Sequence, residues 1–174
     1  TFADTFIDYY VNDQGHILDY DVNEFNLDHI NEGKVLFKLF ELTGKEKYRK
    51  GIDTLYEQIT LQPRTKEGNY WHKKIYPNQV WLDGLYMAQP FYMEYETKYN
   101  KFGNYIDIFN QFKHVERFMK NNETGLYYHA YDSSKEMFWC DEKTGLSKHY
   151  WGRAIGWFLM AIVDTIEAMD EQMF

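Results

Sequence analysis

Apolar positions recur at helical spacing in Tyr48, Ile52, Leu55 and Ile59, then in Ile108, Phe112, Val115 and Met119, and again in Ile155, Leu159, Ile162, Ile166 and Met169. That periodicity predicts amphipathic helices. Three more helices are predicted over Phe2 to Tyr10, over Ile30 to Leu42 closed by Gly44, and over Leu85 to about Tyr95 with Pro90 as a candidate kink. The chain therefore reads as six helices. Two aromatic segments between them, around Tyr70 to Tyr76 and around Leu126 to Trp139, alternate over short stretches bounded by turn residues and read as strand-like loops.

An internal repeat orders these elements. Gly15-His16-Ile17-Leu18, Gly68-Asn69-Tyr70-Trp71-His72 and Gly125-Leu126-Tyr127-Tyr128-His129 recur at intervals of 53 and 57 residues, each before a polar-aromatic loop and a helix. Such a period is that of a helical hairpin, a unit that buries its apolar face only by stacking on its neighbours in an open solenoid or a closed ring. In a ring, the loops before the second, fourth and sixth helices converge on one mouth. They would bring together Asp28, the His72 to Asp83 region and the His129 to Trp157 region.

Composition narrows the choice of partner. At 174 residues and 44% hydrophobic content, the chain is long enough for one domain with a sizeable core, and it has no apolar run of transmembrane length, so a soluble protein with no membrane partner is expected. A formal net charge of -8 argues against nucleic acid, which demands a basic face. Aromatic residues make up 20% of the chain, more than a core requires, so some are expected to line a groove or meet a partner such as a sugar ring. The single cysteine, Cys140, excludes an intramolecular disulfide and a thiolate zinc site. It leans toward a reducing compartment, making the cytoplasm the expected location and the periplasm the alternative. Thr1 opens the sequence with no cationic-apolar leader after it, so a targeting segment would have to lie outside it.

The strongest chemical signal is Trp81-Leu82-Asp83-Gly84-Leu85-Tyr86-Met87, an acid among apolar and aromatic neighbours downstream of Trp71-His72-Lys73. Burial penalises the charged form of a carboxyl group and suits it to donate a proton. The plainer reading is that Asp83 caps a helix beginning at Leu85. Together with Asp28-His29-Ile30-Asn31-Glu32-Gly33, Pro63-Arg64-Thr65, Tyr76-Pro77, Tyr128-His129-Ala130-Tyr131-Asp132 and Trp151-Gly152-Arg153-Ala154-Ile155-Gly156-Trp157, these motifs resemble, in order and over nearly the whole chain, the unsaturated rhamnogalacturonyl hydrolases of glycoside hydrolase family 105, related to the family 88 unsaturated glucuronyl hydrolases.

The resemblance implies an all-α (α/α)6 barrel. Residues 1–174 would form a single partial domain of it, about half, in three helical hairpins, with the remainder of the barrel or another chain covering the exposed helix faces. It also implies a substrate, a small pectin-derived oligosaccharide ending in a 4,5-unsaturated galacturonyl residue, most typically linked to rhamnose. The reaction is hydration of the double bond, which requires no metal or other cofactor. Asp83 matches the family's catalytic acid, and Asp28 its second aspartate, which would orient water or hold a hydroxyl; a helix N-cap is the competing role for Asp28. His72 and His129 match pocket histidines. Arg153 would grip the uronate through two parallel hydrogen bonds. Trp151 and Trp157 would stack on the sugar, a core role being the alternative for Trp157, and Lys73 would assist the uronate or remain solvated. Two other classes stay open: a carbohydrate-binding or scaffolding helical ring without catalysis, and a sugar epimerase or conventional glycosidase on the same fold.

Overall fold

The computed structural model describes residues 2–171; Thr1 and residues 172–174, which the expected domain span includes, lie outside them. Among the described residues the α-helices are α1 (Phe2–Tyr10), α2 (Leu27–Glu32), α3 (Lys34–Thr43), α4 (Glu46–Leu61), α5 (Leu82–Tyr99), α6 (Tyr105–Met119) and α7 (Gly152–Ala168), with a short 3-10 turn at Val22–Glu24. Two three-residue strands, β1 (Gln79–Trp81) and β2 (Ala130–Asp132), complete the fold. The segment expected as one helix from Ile30 begins earlier and is divided. Asn26 caps α2 by accepting the N–H of Asp28 at 3.0 Å, and Gly33 separates α2 from α3. Gly44, at φ 65°, closes α3 as expected.

The sequence repeat has a conformational basis. Short antiparallel bridges Val11↔Ile17, Arg64↔Tyr70 and Lys120↔Tyr127 follow α1, α4 and α6, and each encloses a repeat glycine at positive φ: Gly15 at 80°, Gly68 at 101° and Gly125 at 73°. A side chain in that region of φ clashes with the backbone, so the turn selects glycine. Each hairpin is thus helix, tight turn, loop, helix. The strand expected near Tyr70 to Tyr76 contributes only the bridge at Tyr70, and the paired strand forms further along, at β1.

Helix α5 is the hub, packing against α2, α4, α6 and α7. It lacks a polar stripe because it is enclosed on several sides, burying Leu82, Leu85, Ala88, Phe91 and Met93 among others. It begins three residues before the expected Leu85 and continues through Pro90 to Tyr99. The largest core cluster joins α2, α3, α4 and α5 through Ile30, Phe37, Tyr48, Leu55 and Phe91; a second joins α5, α6 and α7 through Leu85, Val115, Met119, Ala154 and Phe158. Apolar faces stay uncovered at both edges. Phe2 is 86% and Phe6 52% exposed on α1, and Leu159 is 56% and Val163 53% exposed on α7. That is the pattern of stacked units whose outer members present apolar sides.

Antiparallel pairing of β1 with β2, in the register Gln79↔Asp132, Val80↔Tyr131 and Trp81↔Ala130, ties the loop entering α5 to the loop that precedes α7. This pairing gathers the site.

Candidate active site

Two backbone hydrogen bonds place the site histidines. The first N–H of α2, on Leu27, donates to the carbonyl of His72, and the first N–H of α5, on Leu82, donates to the carbonyl of His129, each at 3.1 Å. Opening N–H groups have no acceptor within their own helix, so the loop carbonyls satisfy them. In each case the residue after the leucine is an aspartate, Asp28 or Asp83. The fold therefore sets His72 beside Asp28, and His129 beside Asp83.

Asp28 stands in the first turn of α2, with one carboxylate oxygen 2.6 Å from Nζ of Lys73 and the other 3.5 Å from Nε2 of His72. It is not the N-cap, since Asn26 fills that role and leaves the Asp28 carboxylate to these partners. His72 is only 3% exposed. Burial pushes its imidazole down to about 4, Asp28 working against that and Lys73 with it. Its ring stacks on Trp81 at 4.5 Å and 12°, and Trp81 in turn stacks on Tyr76 at 5.0 Å and 19°. Nδ1 of His72 has no hydrogen-bond partner.

Asp83 lies inside the first turn of α5, since the helix starts at Leu82; it does not cap a helix beginning at Leu85. Burial raises its pKa above the ordinary carboxylate value, the larger effect; its own backbone N–H, Arg153 and His129 favour the ionised form, and Asp28 disfavours it. Asp83 therefore feels three other expected site residues, Asp28 from the start of α2, His129 from the loop before β2 and Arg153 from the start of α7. Burial lowers the pKa of His129, Asp83 raises it and His149 lowers it. The His129 ring lies 6.3 Å from that of Trp139 and 6.2 Å from that of Trp151.

Arg153, in the first turn of α7, lays its guanidinium 3.8 Å from the centre of the Trp151 ring, and Trp151 occupies the N-cap position of that helix, 42% exposed. Trp157 packs at 4.6 Å and 38° on Tyr86, so part of its surface is structural. The ammonium of Lys34 lies over the Tyr86 ring, 3.6 Å from its centre. Lys73 points to Asp28, an arrangement that makes it a partner of the second aspartate. Trp81, Tyr76, Tyr86, Trp139 and Lys34 belong to these surroundings without having been singled out as site residues. Trp81, Tyr76 and Tyr86 did lie within the motifs, and Trp139 within the aromatic segment and the region expected at the mouth; Lys34 had no signal beyond residue type.

A separate cavity of about 520 Å³ between α1 and the α2–α3 segment is lined by Phe6, Tyr10, Tyr20, His29 and Glu32 among others and includes none of the site residues. Among the described residues no three His, Cys, Asp or Glu side chains are grouped to hold a metal ion, and no helix is long and apolar enough to cross a membrane.

A family model described as Glycosyl Hydrolase Family 88 matches residues 1–173. The chain belongs to this family. "Unsaturated rhamnogalacturonyl hydrolase YesR" of Bacillus subtilis (strain 168) is 27% identical over 147 residues, covering 81% of this chain and 41% of that protein. A solved glycoside hydrolase from family 105 of C. acetobutylicum ATCC 824 is 49% identical, with a TM-score of 0.95 over 98% of this chain and 48% of that one. A possible member of the GH105 family from Klebsiella pneumoniae subsp. pneumoniae MGH 78578 is 23% identical with a TM-score of 0.68, over 84% of this chain and 38% of that one, which speaks to the fold alone. The chain thus spans about half or less of the length of these relatives. The motif resemblance holds at the level of the family, and the hairpins correspond to about half of an (α/α)6 ring.

Proposed function

We propose that the protein is a glycoside hydrolase that hydrates the C4=C5 double bond of a terminal unsaturated galacturonyl residue on a pectin-derived oligosaccharide, with rhamnose as the sugar released. The observation that carries the reading is the setting of Asp83: a half-buried carboxyl group with a raised pKa, under the influence of Arg153, His129 and Asp28. A general acid works best when its pKa approaches the operating pH, and burial moves Asp83 in that direction. Membership of the family and the likeness to a protein named as an unsaturated rhamnogalacturonyl hydrolase support the substrate class.

The unsaturated sugar is an enol ether. Asp83 gives its proton to C4, and positive character develops at C5, where the ring oxygen stabilises it. Water then adds to C5 and loses a proton to the Asp83 carboxylate, with Asp28 orienting the water or holding a hydroxyl. The product is a hemiketal that opens and frees the aglycone. Arg153 binds the uronate carboxylate, His72 and His129 bond to hydroxyls or the uronate, and Trp151 and Trp157 supply flat apolar surface. Unlike ordinary glycoside hydrolysis, the route displaces nothing at the anomeric carbon, so two carboxyl groups flanking that bond are not required.

The test is loss of the ultraviolet absorbance of an unsaturated galacturonyl-rhamnose disaccharide incubated with the whole protein. Wild type should consume it, and Asp83→Asn should bind without turnover. An inert wild type, or an Asp83→Asn variant with near-normal kcat, overturns the proposal.

A further inference from the structure

We propose that Trp139 forms a wall of the subsite for the aglycone, the neutral sugar to which the unsaturated residue is attached, by presenting its indole to the C–H face of that ring. The inference rests on the functional reading above and assigns a binding surface that the reading leaves open. Its starting point is His129, whose charge acts on Asp83 and whose ring has two tryptophans for neighbours, Trp139 at 6.3 Å and Trp151 at 6.2 Å. Trp151 already carries the Arg153 guanidinium over its face at 3.8 Å, which associates it with the uronate. Among the described residues no cation lies over Trp139, and His129 is its ring neighbour. An aromatic surface next to the site and without a cation suits an uncharged sugar, which binds through apolar area and not through charge.

The backbone around Trp139 is held as a binding platform needs to be. Asp132 is fully buried and accepts the N–H of Ser134 at 2.9 Å, the hydroxyl of Ser134 at 2.7 Å, and the N–H groups of Glu136 at 2.9 Å and Met137 at 3.0 Å. On the far side, the N–H of Cys140 donates to the carbonyl of Met137 at 3.1 Å, and Cys140 bridges to Ser147. Trp139 therefore sits between two anchored residues, and a ligand stacking on it orders little that was mobile beforehand. Such preorganisation lowers the cost of binding.

The test compares kcat/KM of the whole protein for two substrates, the rhamnose-linked unsaturated disaccharide and the methyl glycoside of the same unsaturated uronate. Wild type is expected to prefer the disaccharide, and Trp139→Ala to reduce that preference about tenfold, or about 1.4 kcal/mol. Trp139→Leu, which retains apolar volume but no flat face, should reduce it similarly; if the alanine variant does not fold, the leucine variant decides alone. An equal loss on both substrates, or an unchanged preference, overturns the inference while leaving the functional reading intact. A wild type that consumes neither substrate overturns that reading, and this inference with it.

Discussion

The ammonium group of Lys34 donates to the carbonyl of Tyr86 at 2.8 Å, and this carbonyl is the acceptor that Pro90, four residues on and without an N–H, leaves unserved within α5. Tyr86 and Lys34 are half-buried, so water reaches such a gap only in part. Lys34→Met should therefore cost about 1 kcal/mol of stability, the order of one hydrogen bond lost at a half-buried site. In a Pro90→Ala background the new N–H serves Tyr86, and the cost should fall by about 1 kcal/mol. Urea unfolding of the four proteins of this double-mutant cycle measures the coupling, and strictly additive effects would refute it.

Gly84 makes room for His72. A Cβ at this position would stand 2.9 Å from Nδ1 of His72 and 3.2 Å from a methyl carbon of Leu27, both buried side chains. Gly84→Ala should cost about 1–3 kcal/mol through overpacking. It should also disturb turnover more than an alanine at Gly125, whose Cβ would meet nothing within 4 Å although its φ of 73° strains any side chain. Denaturant midpoints and kcat/KM of both variants provide the comparison.

His72 should make stability pH-dependent on the acid side. Its imidazole titrates at about 4 in the fold against an ordinary 6.5, chiefly because it is buried. As pH falls below 6.5, the unfolded chain takes up a proton that the folded chain refuses, so this contribution is fully present above 6.5, is lost down to about 4 and levels off below. At about 1.4 kcal/mol per pH unit the loss is on the order of 3 kcal/mol. The difference in unfolding free energy between wild type and His72→Gln, followed from pH 7 to pH 4, should narrow by that order. A constant difference across the window would show that His72 is not held neutral.

Glu96 is fully buried and collects the hydroxyl of Tyr56 at 2.7 Å, the amide of Asn100 at 2.9 Å, and the N–H of Asn104 at 2.9 Å with its side-chain amide at 3.0 Å. It thereby joins α4, α5 and the turn into α6. Glu96→Ala takes the shared acceptor from several half-buried or exposed donors at once and should cost about 1–3 kcal/mol. A loss below about 1 kcal/mol in denaturant unfolding would mean that the donors find other acceptors.

How much was legible in the sequence depended on which faces of each element meet water. Helices α4, α6 and α7 carry an apolar stripe, and their periodicity located them within a few residues. α5 is enclosed, so its start at Leu82 and its passage through Pro90 were hidden from periodicity; the compensating Lys34 lies 52 residues away from Tyr86. The division at Gly33 turns on a single residue and a cap at Asn26, both local details that a hydrophobic pattern does not encode. For the site, the motif residues Asp28, His72, Asp83, His129 and Arg153 come to the helix starts and loops that the repeat phase called for. What the sequence could not express were contacts made through tertiary pairing: Lys73 on Asp28, the His72–Trp81–Tyr76 stack, and Trp139 beside His129.

Arg153 and Asp83 should fail in different ways if the proposed chemistry is right. The uronate carboxylate is present in ground and transition states alike, so losing the guanidinium that holds it weakens both equally and appears as a raised KM. Arg153→Ala is therefore expected to raise KM about tenfold or more with kcat largely kept, whereas Asp83→Asn removes the transferable proton and lowers kcat. Arg153→Lys should recover little, because an ammonium offers neither two parallel hydrogen bonds nor a planar group to lie over Trp151, as the guanidinium does at 3.8 Å. Steady-state kinetics on the rhamnose-linked substrate separates the cases. A fall in kcat with unchanged KM for Arg153→Ala would move this residue from holding the ground-state carboxylate to stabilising charge at the reacting carbons.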